Sequence, residues 1–483
     1  MKLIADPKNP LLATNTTRKS AACASFALAA MIVFEATGCN GLPGSAPVST
    51  KTAPQKYMAP IVAGDTNGVT SVLQSYSIDD SANTFTQTTY PLSLGGGSQI
   101  NNAGNISPLA RGLLGLSTTY SNQLASGNPG TNYNPPKSGS WAVELSGQAG
   151  GFIQLLGQPF TPLVASETCP SSSTPVTYQF LTIPDPLLVP AGGPPTRSQA
   201  WNPAVETAYG TVDISATGDT VTLNNIRQHT FPSITGSLGT PGSASPTSVA
   251  GVCSPTPYGN TIGVPGQIVL TNPGSGEGVS PSATIGIGSS GLLVESNGVS
   301  NSIPYQNALG AGTGAIGLPK PSSAISTSAL VSAQYLGFFY GSGIAQASAF
   351  SPSGWSSSVA SFGFSTTPAS CASVAAEDAN LIYGGDFTNN DPSPATVQSA
   401  GGFGNCNYAI DLGTQDSANN GLYPAATIWV GATFGGNKTG KSYSFPAIAI
   451  AGQLGGKYAL FVLGIDTTGT PNQAQGIYLL QSN

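Results

Sequence analysis

Between residues 58 and 483 apolar and polar side chains alternate in short bursts, and this period of two limits the fold more than any other feature of the chain. Successive residues of a strand face opposite sides of a sheet, so such alternation marks a half-buried antiparallel strand. Val176, Tyr178 and Phe180 alternate with Thr177 and Gln179, and Trp141, Val143 and Leu145 share a face opposite Glu144. The clearest case is TVDISATGDTVTL, residues 211–223. There Val212 and Ile214 flank Asp213, residues 215–219 supply a glycine-containing turn, and Val221 and Leu223 resume the alternation. Two alternating runs around a short loop predict a β-hairpin.

The C-terminal third carries a second pattern. SAQYLGFFYG (332–341), ATIWVGATF (426–434), YALFVLGID (458–466) and GIYLLQS (476–482) are nearly continuous apolar runs of strand length, bounded by Gly, Asn or Pro. They read as strands covered on both faces. Helical pattern is sparse: SPLARGLLGL (107–116) and CASVAAEDANLI (371–382) could each make a few turns, with Gly112 and Gly115 weakening the first. About eighteen strands are expected, separated by Pro/Gly/Ser/Thr/Asn-rich connections. The predicted class is all-β, with antiparallel barrel or sandwich packing open to division into two halves. A β-propeller is the alternative, since residues 61–80 read as strand, Asp/Asn-Gly turn and strand. No repeat of 40–50 residues with a shared signature supports it.

Composition narrows the function. Only 7% of the residues are charged, and 14 Lys and Arg scattered over 483 residues cannot build the basic stripe that nucleic acid requires. Disorder is equally excluded, because 39% hydrophobic residues with 17 Phe, 17 Tyr and 4 Trp can bury a core.

The N-terminus reads as an address. Lys2, Lys8, Arg18 and Lys19 precede an uncharged run from Ala21 to Phe34, which is too short to span a bilayer as a helix. Ala36-Thr37-Gly38-Cys39 follows, and small residues before a cysteine are similar to a bacterial lipobox, in which that cysteine is acylated and becomes the first residue of the mature chain. Residues 1–38 are therefore expected to be a lipoprotein signal peptide, with Cys39 the lipidation site (palmitate or a related acyl group). Residues 39–57 form a Pro/Ser/Thr/Ala-rich tether, and residues 58–483 form an extracytoplasmic β-rich body. Asn40 after the cysteine favours transfer to the outer membrane. Loss of the leader removes four basic residues and two acidic ones (Asp6, Glu35), taking the net charge from −6 to −8. An acidic body gains nothing from anionic headgroups, so the membrane partner must be held through the lipid.

Four cysteines remain after Cys23 and Cys39: Cys169, Cys253, Cys371 and Cys406. In an exported chain an even number predicts disulfides, with 169–253 and 371–406 favoured among three connectivities. A zinc site fits poorly, since no CxxC pair exists and the sole histidine, His229, lies among strand-end polar residues. His229 as a general base would need an orienting carboxylate and a nucleophile. A glycosidase would need two carboxylates across a groove, and Glu144, Asp213 and Asp411 are the strand-borne ones. No cofactor is expected beyond a weak calcium reading. Its best residues are Asp386, Asn390 and Asp391, followed by the Asp411–Gly421 segment, and neither has EF-hand spacing. Gly312, Gly314 and Gly317 formally match GxGxxG, but Pro319 and Pro321 stop the helix that a dinucleotide site needs, so they read as a loop before a strand.

With the lipobox, the acidic β-rich body and the phrases NNGLYP (419–424), GGKYALFVLGID (455–466) and GIYLLQSN (476–483), the chain resembles a family of lipoproteins from Burkholderia-like proteobacteria. The resemblance implies location and supplies no activity to carry over. The expectation is a non-enzymatic outer-membrane lipoprotein with an envelope-structural or binding role and an envelope glycan or protein as its partner. A surface glycan hydrolase with a carboxylate pair, or a carbohydrate- or small-ligand-binding module, are the alternatives.

Overall fold

The computed structural model describes residues 54–65, 68–91, 100–108, 113–118, 140–144, 150–154, 161–165, 176–183, 206–215, 220–230, 242–243, 247–253, 267–271, 283–287, 292–297, 314–342, 355–363, 380–386, 408–431, 441–466 and 473–482. The fold is all-β and every strand pairing is antiparallel, with one short helix among the described residues. No helix among them is long and apolar enough to cross a membrane. The strands fall into three sheets in chain order.

Barrel 1 holds β1 (Gln55–Asp65), β2 (Gly68–Asp79), β3 (Thr84–Pro91), β4 (Ile100–Pro108), β5 (Leu113–Thr118), β6 (Ser140–Glu144), β7 (Gly151–Gln154) and β8 (Thr161–Ala165). Each strand pairs with the next, and β1 closes on β8. The second sheet begins with β9 (Val176–Ile183), β10 (Glu206–Ile214), β11 (Thr220–Thr230), β12 (Gly242–Ser243) and β13 (Thr247–Cys253). It continues with β14 (Gln267–Thr271), β15 (Ala283–Ile287), β16 (Leu293–Asn297) and β17 (Gly314–Pro319). Here β9 pairs with both β10 and β17, and β10 with β11, so the ladder returns on itself and leaves β12 as a two-residue spur on β11. We refer to it as barrel 2.

After α1 (Thr327–Ser332), barrel 3 starts with β18 (Tyr335–Ser342), β19 (Trp355–Phe362), β20 (Ile382–Asp386) and β21 (Tyr408–Asp411). It is completed by β22 (Leu422–Gly431), β23 (Lys441–Leu454), β24 (Lys457–Asp466) and β25 (Gln473–Gln481), with β18 closing on β25.

Barrels 1 and 3 each have a lumen filled by side chains from all eight of their strands. In barrel 1 these include Tyr57, Tyr76, Phe85, Ile106, Leu114, Ala142, Ile153 and Leu163. In barrel 3 the contributors include Tyr335, Phe362, Ile382, Ile410, Tyr423, Phe445, Val462 and Ile477, and Leu330 of α1 joins them. One packing device recurs. Phe85 lies opposite Gly104, and Phe362 lies opposite Gly384. A Cβ at Gly104 would stand 2.5 Å from the Phe85 ring, and one at Gly384 would stand 2.5 Å from that of Phe362. The missing side chain is what lets the ring lie flat across its neighbour strand.

A third cluster lies outside both lumens. It gathers Leu113, Val143, Phe152 and Val164 of barrel 1, Leu181, Tyr209, Ile316 and Leu318 of barrel 2, and Leu336, Phe338, Ile448, Ile450, Phe461, Leu463, Tyr478 and Leu480 of barrel 3. Phe152 is its pivot, with ring centroids 6.3, 5.8 and 6.2 Å from Phe338, Phe461 and Tyr478. The alternation along β24 makes the geometry plain: Leu460 and Val462 point into the lumen, while Phe461 and Leu463 point into the junction.

These elements agree with the barrel reading, and the hairpin of residues 211–223 is β10–β11, with Ile214 opposite Val221. The 61–80 hairpin is present too, but β1 and β2 enter a barrel wall and not a propeller blade. The strands sort into three sheets where the sequence suggested two halves. Residues 107–108 and 113–116 are strand and not helix, because β4 and β5 pair there, with Leu113 facing the junction and Leu114 and Leu116 the lumen. Gly314 and Gly317 likewise belong to β17 and not to a loop. Of the other helix candidate, residues 371–379 lie outside the described residues.

Candidate functional site

With the lumens of barrels 1 and 3 filled by their own side chains, partners of those two barrels are met on their outer surfaces. Barrel 1 keeps one polar pair inside, Gln87 Nε2 donating to the Tyr76 hydroxyl at 3.0 Å with both side chains buried. Burial also pushes the hydroxyl pKa of Tyr335 and Tyr478 well above the usual tyrosine value. Tyr335 donates to the Leu330 carbonyl at 2.8 Å, which pins α1 across one end of barrel 3.

Three outer surfaces differ in chemistry. On barrel 1, pairing sets Ser77 beside Thr86 and Thr86 beside Ala103, and sets Asp79 beside Thr84 and Thr84 beside Asn105. On this face Thr86, Ala103 and Asn105 are exposed. Asp79 accepts from Ser81 Oγ at 2.6 Å and from the Ser81 and Ala82 amides. The Ser81 side-chain bond leads the causes that hold the carboxyl below its ordinary pKa. On barrel 3, Tyr383, Ala409 and Trp429 stand in one row across β20, β21 and β22. Ile382, Ile410 and Ile428 fill the lumen from the same strands, so the row faces away from it, with Tyr383 and Ala409 buried and Trp429 partly exposed.

The third surface is the seam between barrels 2 and 3, built from the loop at residues 411–421. Asp411 accepts from the Gly413 amide at 2.9 Å, and Asp416 from the Ala418 and Asn419 amides at 2.8 and 2.9 Å. Gln415 accepts from the Gly421 amide and donates to the Ile325 carbonyl and the Tyr423 hydroxyl, both at 2.9 Å. Burial pushes the Tyr423 pKa up, against the hydrogen bonds with Thr327 and Gln415. Asn420 donates to the Pro321 carbonyl at 3.3 Å, and Lys320 Nζ to Asn419 Oδ1 at 3.2 Å. From barrel 2, buried Gln179 donates its amide to the Asn420 carbonyl.

The structure disperses most residues singled out in the sequence. The Asp and Asn of 411–421 cap turns and grip the linker, as short Asx side chains do in loops. Among the described residues no group of three His, Cys, Asp or Glu gathers to hold a metal. Asp386 ends β20 opposite Ala360, while its calcium companions Asn390 and Asp391 lie outside the described residues. Asp213 faces outward beside its cross-strand partner Thr177, whose hydroxyl donates to it at 2.5 Å. His229 sits in β11 opposite Thr207, and Glu144 ends β6 opposite Gly151. Cys253 closes β13 opposite Ile268, whereas Cys39, Cys169, Cys371 and Cys406 lie outside the described residues, and with them both expected disulfides. Trp429 departs from the core-like face that its apolar run suggests, because Ile428 and Val430 take the lumen side. Lys320 and Gln179, the residues that join the seam to barrel 2, carry no local sequence signal.

No family model matches the chain, and no curated protein matches it. Among solved structures it is similar to a variant of the vaccine antigen transferrin-binding protein B from Haemophilus parasuis Hp5, at 7% identity, covering 90% of this chain and 77% of that one. The TM-score is 0.21, too low for the likeness to bear on fold or function.

Proposed function

We propose that the protein is an outer-membrane lipoprotein, held by acyl chains on Cys39, whose β body has a non-enzymatic structural or binding role exercised through its outer faces. The observation that carries the reading is the filling of the lumens of barrels 1 and 3 by their own side chains, which turns the barrels into solid supports for external surfaces. Four carboxylates fit the same picture: Asp79, Asp411 and Asp416 hold turns, and Asp213 holds a cross-strand hydroxyl. Anchoring follows from the basic leader, the short apolar run and Ala36-Thr37-Gly38-Cys39. Replacing Cys39 by Ser should move the protein from the membrane fraction to the soluble fraction, and unchanged retention on membranes would overturn the lipid anchor.

A second reading, a carbohydrate-binding module, draws on Trp429, the partly exposed ring on the outer side of β22. An aromatic face beside polar neighbours can stack on a sugar ring. On this reading the protein co-sediments with envelope polysaccharide, and Trp429→Ala lowers that binding at least tenfold; equal sedimentation of both proteins removes the reading.

A further inference from the structure

We propose that residues 411–421 form a strap that locks the linker between barrels 2 and 3, making those two barrels a single cooperative body. The linker runs from Lys320 through Pro321, Ser322, Ser323, Ala324 and Ile325 to Ser326. By composition it is a hinge, since Pro and Ser support no packed structure of their own and residues 322–324 are exposed.

The strap grips that hinge at both ends. Asn420 donates to the Pro321 carbonyl, and Gln415 to the Ile325 carbonyl four residues on. Lys320 Nζ reaches back to Asn419 Oδ1 and the Ala418 carbonyl, at 3.2 and 3.4 Å. The wall of barrel 2 joins in through Gln179, which donates to the Asn420 carbonyl from β9. The strap is itself stiffened beforehand. The Asp411 and Asp416 carboxylates and the Gln415 side-chain Oε1 each accept from the strap's own amides. The Asp416 amide bonds the Leu422 carbonyl, and the Ala451 amide bonds the Gly421 carbonyl, tying the strap to β22 and β23.

Beneath the polar grip the two walls touch directly. A Cβ at Gly452 of β23 would stand 3.0 Å from Leu318 Cβ and 3.1 Å from the Pro319 carbonyl of β17. A hinge held at both ends over a close wall contact cannot bend without breaking several side-chain-to-carbonyl hydrogen bonds at once. Such bonds cost more to lose than they give when formed, because the carbonyls left behind are partly buried. The Asp/Asn/Gln-rich composition of this loop, which looks like a cation site in sequence, is thereby assigned to holding two barrels in one orientation.

The test is hydrogen exchange of the full chain, read by mass spectrometry at equilibrium and along a denaturant series. Gln415→Glu keeps the acceptor for the Gly421 amide and removes both donated bonds; Gln179→Leu keeps the bulk and removes the bond from barrel 2. In the unaltered protein, peptides from β9 and β22 should lose protection at the same denaturant concentration. In the double variant the two midpoints should separate, and the Lys320, Ala329 and Leu330 amides should exchange roughly tenfold faster while those of β24 stay unchanged. Should the double variant not fold, Gln179→Leu alone should still accelerate exchange at the Lys320 amide. Coincident midpoints and unchanged linker exchange in folded variants would overturn the proposal, leaving the Leu318–Gly452 wall contact as the coupling.

Discussion

Barrels 1 and 3 close in the same way and fill their lumens in the same way, yet their walls are chemically opposite. In barrel 3, β18, β23, β24 and β25 bury apolar side chains on both faces, Leu460 and Val462 inward and Phe461 and Leu463 outward. In barrel 1, the described side chains of β2 and β3 bury the lumen side, through Tyr76, Ile78 and Phe85, while Thr86 on the other face is exposed. The difference shows that closure of a barrel is indifferent to the outer face, which is free to record what the barrel leans on. Barrel 3 supplies the larger share of the junction between the three sheets, from β18, β23, β24 and β25. Barrel 1 joins that junction through β5–β8 and also lies against barrel 2 along β1, while its β3–β4 face is exposed at Thr86, Ala103 and Asn105.

The sharpest way to break the comparison is to attack the device both barrels share. Gly384→Val forces a Cβ to within 2.1 Å of the Ser361 carbonyl and into the Phe362 ring, in barrel 3. It should destabilise by more than about 4 kcal/mol and abolish the cooperative thermal transition. The matching Gly104→Val, whose Cβ would meet the Ser117 carbonyl at 2.3 Å, should unfold barrel 1 while barrel 3 keeps its exchange protection. Next in size is the joint between them. Phe152→Ala removes the ring that meets Phe338, Phe461 and Tyr478 and should cost about 3–5 kcal/mol in denaturant titrations, with barrel 1 melting ahead of the rest. The smallest effect belongs to the open wall. Thr86→Lys should shift stability by less than about 0.5 kcal/mol, whereas the same charge at Phe461 should prevent folding.

This contrast was also what the sequence displayed best. The continuous apolar runs at 332–341, 458–466 and 476–482 correspond to β18, β24 and β25, covered on both sides, and the alternating run at 211–223 to the β10–β11 hairpin. The β23–β24 turn was legible in principle. Gly455 and Gly456 take φ of 56° and 80° between Leu454 and Lys457, the left-handed pair that a two-residue hairpin demands.

What stayed hidden depends on distant partners. Nothing local to Tyr57 announces that it pairs with Ala165, so the number of sheets could not be read from strand patterns. The leucines at 113, 114 and 116 mimic a helical face because junction and lumen both want apolar groups. The six residues of α1 are too few to show a period, and Ser326 makes no side-chain cap. At the seam, Asp411, Asp416 and Asn420 were visible as an Asx cluster. Their purpose depends on Gln179 and Pro321, which the chain brings from far upstream.

The closing pairs have a consequence for how the chain comes to be folded. Within each barrel a strand pairs with the next one made, save that β13 passes the spur β12 to pair with β11, and at closure Tyr57 must meet Ala165, Tyr178 must meet Pro319 and Tyr335 must meet Gln481. Those contacts span about 110 to 145 residues, so the first strand of each barrel carries a raw hydrogen-bonding edge until the last has emerged. A chain that folds as it is delivered from its N-terminus therefore passes through three successive periods of exposed edge. The last and longest ends only when β25, the final strand, is released.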